Sequence, residues 1–116
     1  MTDRELLEIS ALRAGIELDW DVPIQSSPWR ITGTGDDKGP TCQWNPLADD
    51  GDALRLAVKL GIDINQQKTL GIVETFWSKE SGCKREQYNN DPYAATRRAI
   101  VRAAVVTTAH GIKGEA

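Results

Sequence analysis

Residues 91–110 constrain the fold more than any other part of the chain, because they make a helix with almost no wholly polar side. Asp91 stands where an N-cap belongs, its carboxylate placed to take a free backbone N–H of the first turn. Pro92 follows at the first helical position, where the N–H it lacks would have no helical partner anyway. Good helix formers continue to His110, and Gly111 supplies the stop. Tyr93, Thr96, Ile100, Ala104 and Thr107 recur at helical spacing and form the face expected to pack on a sheet. Arg98 and Arg102, four residues apart, stack together on roughly the opposite side. Ala95, Ala99 and Val106 lie near those arginines, while Val101 and Val105 fall between the two faces. A helix apolar nearly all round needs a second neighbour, either another element or another subunit.

Two earlier helices are marked by their ends. Thr2 and Glu5 have the spacing of a capping box, in which each side chain satisfies the other residue's free N–H. Leu6, Leu7, Ile9 and Leu12 supply the apolar positions, and Gly15 closes the helix. A second helix is expected over residues 52–60, capped by Asp50 and ended by Gly61. Ala53, Leu54, Ala57 and Leu60 make its inner face, and Arg55 and Lys59 point away. Short strands are expected at Leu18-Asp19-Trp20, Trp29-Arg30-Ile31 and Cys42-Gln43-Trp44, with residues 32–40 as a loop or hairpin tip. Further strands are expected at residues 62–64, 71–77 and 83–88, the last two joined as a hairpin across residues 78–82. The final strand is polar, which suits an edge or an open sheet face. In 116 residues this order predicts one α+β domain. Its three helices pack on a small antiparallel sheet as an alpha-beta-alpha sandwich, and residues 112–116 are a frayed tail.

Several function classes are disfavoured. No apolar run approaches the roughly 20 residues needed to cross a bilayer, and the polar start, Met-Thr-Asp-Arg-Glu, is not a secretory signal. Cys42 and Cys83 are isolated and are expected to be free, partly buried thiols, which points to the cytoplasm. A net charge of −3 argues against a duplex-DNA binder. The charge is nevertheless uneven. Acids dominate up to Trp77, whereas Lys84, Arg85, Arg97, Arg98 and Arg102 make the last third basic and attractive to an anion.

Catalytic equipment is sparse. His110 is the one histidine, and its helix-terminal position suits interaction with the helix dipole better than a preorganised nucleophile–base pair. The cluster Asp49-Asp50-Gly51-Asp52 lacks the remaining ligands of a calcium loop, and helix capping accounts for it. Gly33-Thr34-Gly35 does not link an apolar strand directly to a helix, as a phosphate-cradling loop would. No enzyme activity, metal or other cofactor is therefore expected. Four tryptophans, Trp20, Trp29, Trp44 and Trp77, fall on strands or their ends, where most should be core. One or two beside Arg85, Arg97 or Arg98 would make a stacking and phosphate-pairing site.

Two stretches carry a family likeness. They are residues 44–60 (Trp-Asn-Pro-Leu-Ala-Asp-Asp-Gly-Asp-Ala-Leu-Arg-Leu-Ala-Val-Lys-Leu) and 90–104 (Asn-Asp-Pro-Tyr-Ala-Ala-Thr-Arg-Arg-Ala-Ile-Val-Arg-Ala-Ala). Together they resemble the phage ABA sandwich domain, a family of small phage and prophage proteins. The likeness runs from the first helix through the third, with a longer stretch between Asp21 and Gln43 than the family pattern has. It implies a phage-encoded protein in the bacterial cytoplasm, with helices on an antiparallel sheet and no assigned catalytic residue. The ligand-binding candidates are Trp44, Asn45, Trp77, Arg85, Tyr93, Arg97, Arg98 and Arg102. The leading expectation is a non-catalytic counter-defence protein that sequesters a nucleotide-derived host immune signal, working as a homo-oligomer. The alternative is an inhibitor or adaptor that docks on a host or phage protein through apolar parts of the third helix. A metal-dependent nucleotide hydrolase and a single-stranded nucleic-acid binder rank below both.

Overall fold

The computed structural model describes residues 1–21, 27–77 and 82–107. His110, Gly111, residues 112–116 and most of the expected 78–82 loop lie outside the described residues. In chain order the helices are α1 (Asp3–Ala14), α2 (Asp50–Leu60) and α3 (Pro92–Val106). The strands are β1 (Glu17–Asp19), β2 (Trp29–Thr32), β3 (Gly39–Gln43), β4 (Ile62–Gln67), β5 (Ile72–Trp77) and β6 (Cys83–Gln87). This is the expected α+β class, with the antiparallel strands divided between two three-stranded sheets, β1-β2-β3 and β4-β5-β6.

α3 organises the rest. The Asp91 carboxylate accepts the Ala94 N–H at 3.0 Å, Pro92 opens the helix, and Thr107 caps its far end. One side of α3 packs on β4, β5 and β6, and the other on α1 and α2. The second neighbour that its composition demands is thus supplied within the chain. Its sheet contact differs from the expected face. Ala95 and Ala99 pack with Val73 of β5, and Tyr93 stays 69% exposed. Their small side chains bring helix and sheet close enough for the Thr75 hydroxyl to donate to the Ala99 carbonyl at 2.9 Å. Ile100, Val101, Ala103, Ala104 and Val105 turn instead toward Leu6, Leu7, Ala11, Leu56 and Ala57, forming the main core. Burying this apolar surface is the principal stabilising term, at roughly 25 cal/mol per Å².

The other helices refine the sequence-based expectations. Both bonds of the capping box are present on α1, at 2.8 and 3.1 Å. Leu12, expected inside, is exposed, while Ser10 is buried and its hydroxyl donates to the Leu7 carbonyl. Asp49, not Asp50, caps α2, accepting the Asp52 N–H at 2.8 Å, so that Asp50 becomes the first helical residue. The inward stripe of α2 is Ala53, Leu56 and Ala57, and Leu54 is 57% exposed. The spacing 53, 56, 57 keeps to one helical face, from which position 54 is rotated away.

In the first sheet, β2 is central and Thr41 forms a one-residue irregularity between the Arg30–Cys42 and Ile31–Pro40 pairs. Pro40 is accommodated because β3 is an edge strand. Gly33 has φ +90°, and a Cβ there would lie 2.4 Å from the Asp37 carbonyl oxygen, so the hairpin tip requires glycine. Cys42 and Cys83 are free, as expected, but exposed rather than partly buried, because neither faces the core. Among the described residues no helix is long and apolar enough to cross a membrane.

Candidate functional site

A groove opens between α2, β4 and the first turns of α3. Leu54 and Ala53 contribute from α2, Ile64 and Gln66 from β4, and Tyr93, Thr96, Arg97 and Ile100 from α3. Its volume is about 500 Å³, within the range of roughly 300–1,000 Å³ typical of small-molecule sites. Alternation along β4 sends Ile62, Ile64 and Gln66 to the α3 side of the sheet, and Pro92 starts α3 beside them. The Tyr93 ring is exposed at the border, because position 93 lies off the Ala95–Ala99 contact that seats the helix on the sheet.

The polar wall is already connected. The Tyr88 hydroxyl donates to Gln66 Oε1 at 2.5 Å, Gln66 Nε2 donates to Thr96 Oγ1, and the Thr96 hydroxyl donates to the Pro92 carbonyl, both at 2.7 Å. This chain holds Gln66 and Tyr88 in place across three elements. Lys68 adds a cation at one end. Arg97 lies at the border but is engaged: its Nε donates to the Leu47 carbonyl at 2.9 Å and its Nη1 to Asp50 at 2.7 Å. The groove therefore combines apolar walls, one exposed phenol ring and a small number of oriented polar groups.

The eight candidate ligand residues divide among several places. Tyr93 and Arg97 meet at the groove. Trp44 is in the main core. Asn45 ties the loop before α2, its N–H donating to Asp52 and its side-chain amide donating to Ser27, while its Oδ1 accepts the Leu47 N–H. Trp77 is partly buried against the same core. Arg85 lies on the other face of the second sheet, forked onto the Glu74 carboxylate, which also accepts from Gln67. That hydrogen bond first, and the Glu74 charge second, hold the Arg85 guanidinium above its ordinary pKa. Arg98 pairs with Asp3 at 2.9 Å and Arg102 with Glu86, and the two border a separate hollow with Lys84.

The acidic cluster is also accounted for. Asp49 caps α2, Asp50 holds Arg97, and Asp52 accepts from Asn45 and Arg55. Among the described residues no three His, Cys, Asp or Glu side chains converge as a metal site would require. Sequence reasoning missed Leu54, Ile64, Gln66, Lys68 and Tyr88 as groove residues. The usable signal was the alternation of Ile62, Ile64 and Gln66, which continues β4 beyond residue 64.

No family model, curated protein or solved structure matches this chain.

Proposed function

We propose that this chain is a non-catalytic binding protein whose α2–β4–α3 groove holds the flat, base-like end of a small nucleotide-derived molecule. The observation that carries this is the exposed Tyr93 ring beside a concave wall of Leu54, Ile64 and Ile100. An aromatic platform beside apolar walls suits a heteroaromatic ring, and stacking on such a residue contributes about 1–3 kcal/mol per base. Lys68 supplies a positive charge for an attached anionic group. The carboxylates already paired with Arg85, Arg97, Arg98 and Arg102 favour a ligand with few phosphates over a polyphosphate. The likeness to phage ABA sandwich proteins supplies the biological setting: sequestration of a host immune signal in the bacterial cytoplasm, by an oligomer of this chain. Calorimetric titration with a panel of linear and cyclic nucleotides tests the ligand class. Binding that is lost in Tyr93→Ala and Leu54→Asp but kept in Arg98→Gln supports the groove. Equal loss in Arg98→Gln, or no binding by any member, counts against it.

One feature favours the adaptor as a second reading. Leu54 and Val58 are successive-turn neighbours on α2 and both are mostly exposed, so an apolar strip runs past the groove. A protein partner on that strip would depend on Val58, whereas a groove ligand would not.

A further inference from the structure

The polar wall of the α2–β4–α3 groove has a direction. Its hydrogen bonds run from the Tyr88 hydroxyl to Gln66 Oε1, from Gln66 Nε2 to Thr96 Oγ1, and from the Thr96 hydroxyl to the Pro92 carbonyl. The last partner decides the rest. A carbonyl oxygen only accepts, so the single Thr96 hydroxyl proton is committed to it. Thr96 Oγ1 can then only accept from Gln66, which turns the NH2 end of the amide toward α3 and its oxygen toward Tyr88. The Tyr88 hydroxyl is left to donate. A glutamine amide at an exposed strand position is ordinarily free to turn over, whereas this one is held in a single orientation from both ends.

Both ends are themselves anchored. Thr96 stands on the second turn of α3, and the Tyr88 ring packs half-buried against Val73, Ala95 and Ala99. Neither contact exhausts the amide. Oε1 keeps a second acceptor position and Nε2 a second N–H, and among the described residues neither has a further partner. Gln66 lines the groove and is exposed. The surfaces around it are open as well, since Leu54, Ile64 and Tyr93 are all exposed. A ligand can therefore reach a fixed donor beside a fixed acceptor.

We infer that Gln66 determines which base the groove takes and that it selects adenine, an inference that rests on the groove reading above. The amide offers one acceptor next to one donor. Adenine presents the complement, an exocyclic N–H that donates next to a ring nitrogen that accepts, and this is the pairing by which glutamine reads adenine in nucleic acids. Hypoxanthine replaces the exocyclic amine by a carbonyl. One of its edges then reverses the order of donor and acceptor, and the other sets two acceptors against the amide. Guanine carries the same carbonyl and meets the same mismatch. With the base lying on Tyr93 and its anionic group at Lys68, the ring cannot turn over to exchange the order. Tyr88 and Thr96, as positioning residues, keep the amide from turning instead.

The experiment is calorimetric titration of the full chain with adenosine monophosphate and inosine monophosphate, which share their sugar, phosphate and charge. The adenine ligand binds about tenfold more tightly, toward the lower end of what a bidentate amide–base pair discriminates. Gln66→Met keeps the length of the side chain without the amide and brings the two affinities together. Thr96→Val removes the one-directional link. Because the Tyr88 hydroxyl alone can donate or accept, the amide then turns over and the ratio falls toward one. Thr96→Ser, which keeps the hydroxyl, restores the ratio. A purely structural role for Thr96 would weaken both ligands alike and leave the ratio as it was. Equal affinities in the unaltered chain, with both ligands lost in Tyr93→Ala, would leave the groove reading standing and overturn the selection of adenine. A ratio unchanged in both Gln66→Met and Thr96→Val would overturn the role of Gln66. No binding of either ligand at millimolar concentration would overturn the groove reading and this inference with it.

Discussion

Replacing Arg97 by methionine keeps the aliphatic stem and deletes the guanidinium, which separates a scaffold arginine from a ligand-binding one. Arg97 is 18% exposed and makes two contacts of different worth. The bond from Nε to the Leu47 carbonyl joins α3 to the loop before α2 in a half-buried setting. A hydrogen bond with one charged partner contributes about 1.5–3 kcal/mol. The contact to Asp50 is short, but Asp50 is 68% exposed, and solvent screening limits such a pair to about 0–1 kcal/mol. Arg97→Met should therefore cost about 2–3 kcal/mol. At about 4 °C per kcal/mol for a domain of this size, the midpoint falls by roughly 8–12 °C. Asp50→Asn, which removes only the screened ion pair, should cost under about 1 kcal/mol. Thermal and urea unfolding of the two variants, run in parallel, measure the difference. If Asp50→Asn costs as much as Arg97→Met, the carbonyl bond is not the dominant contact. If neither variant loses stability, Arg97 is not scaffold, and its place as a ligand residue is reopened.

Three further outcomes follow from local geometry. Gly33→Ala should destabilise by more than about 1 kcal/mol, because φ is +90° and the new Cβ would meet the Asp37 carbonyl; urea unfolding reads this. Thr75→Val keeps the side chain's shape but removes the bond to the Ala99 carbonyl, costing about 1 kcal/mol in the same assay. Glu5 is held below its ordinary pKa of 4.5, first by the Thr2 backbone N–H and then by the Thr2 hydroxyl. Its contribution is therefore present above pH 4.5 and lost as the pH falls through the lower folded value. The stability gap between the unaltered protein and Glu5→Ala should narrow on acidification, and a constant gap would exclude the capping carboxylate as its source.

The parts of the fold legible in the sequence were those decided by neighbouring residues. Asp91 with Pro92, Thr2 with Glu5, and the glycines after α1 and α2 mark helix ends through contacts within a few positions. The faces were less legible. Leu54 and Leu56 are equally apolar, and only the placement of α2 against α3 decides that Leu56 is buried. Tyr93 has the spacing of a core residue, yet the alanines at 95 and 99 allow the closer approach and take the sheet contact. The division into two sheets depends on strand pairing, which spacing does not encode. The arginine partners were hidden for the same reason: Asp3 lies 95 residues from Arg98, and Asp50 lies 47 from Arg97. Of the candidate site, Tyr93 and Arg97 were found, while the walls from α2 and β4 became visible only once three elements met.

Native mass spectrometry of the chain purified from bacteria with an activated defence system tests the binding proposal most directly. The groove account predicts a retained nucleotide-derived mass at fixed stoichiometry per subunit, absent from Tyr93→Ala, and the same spectrum counts the subunits. A bare protein mass from the unaltered chain, or a retained ligand undiminished in Tyr93→Ala, would contradict it.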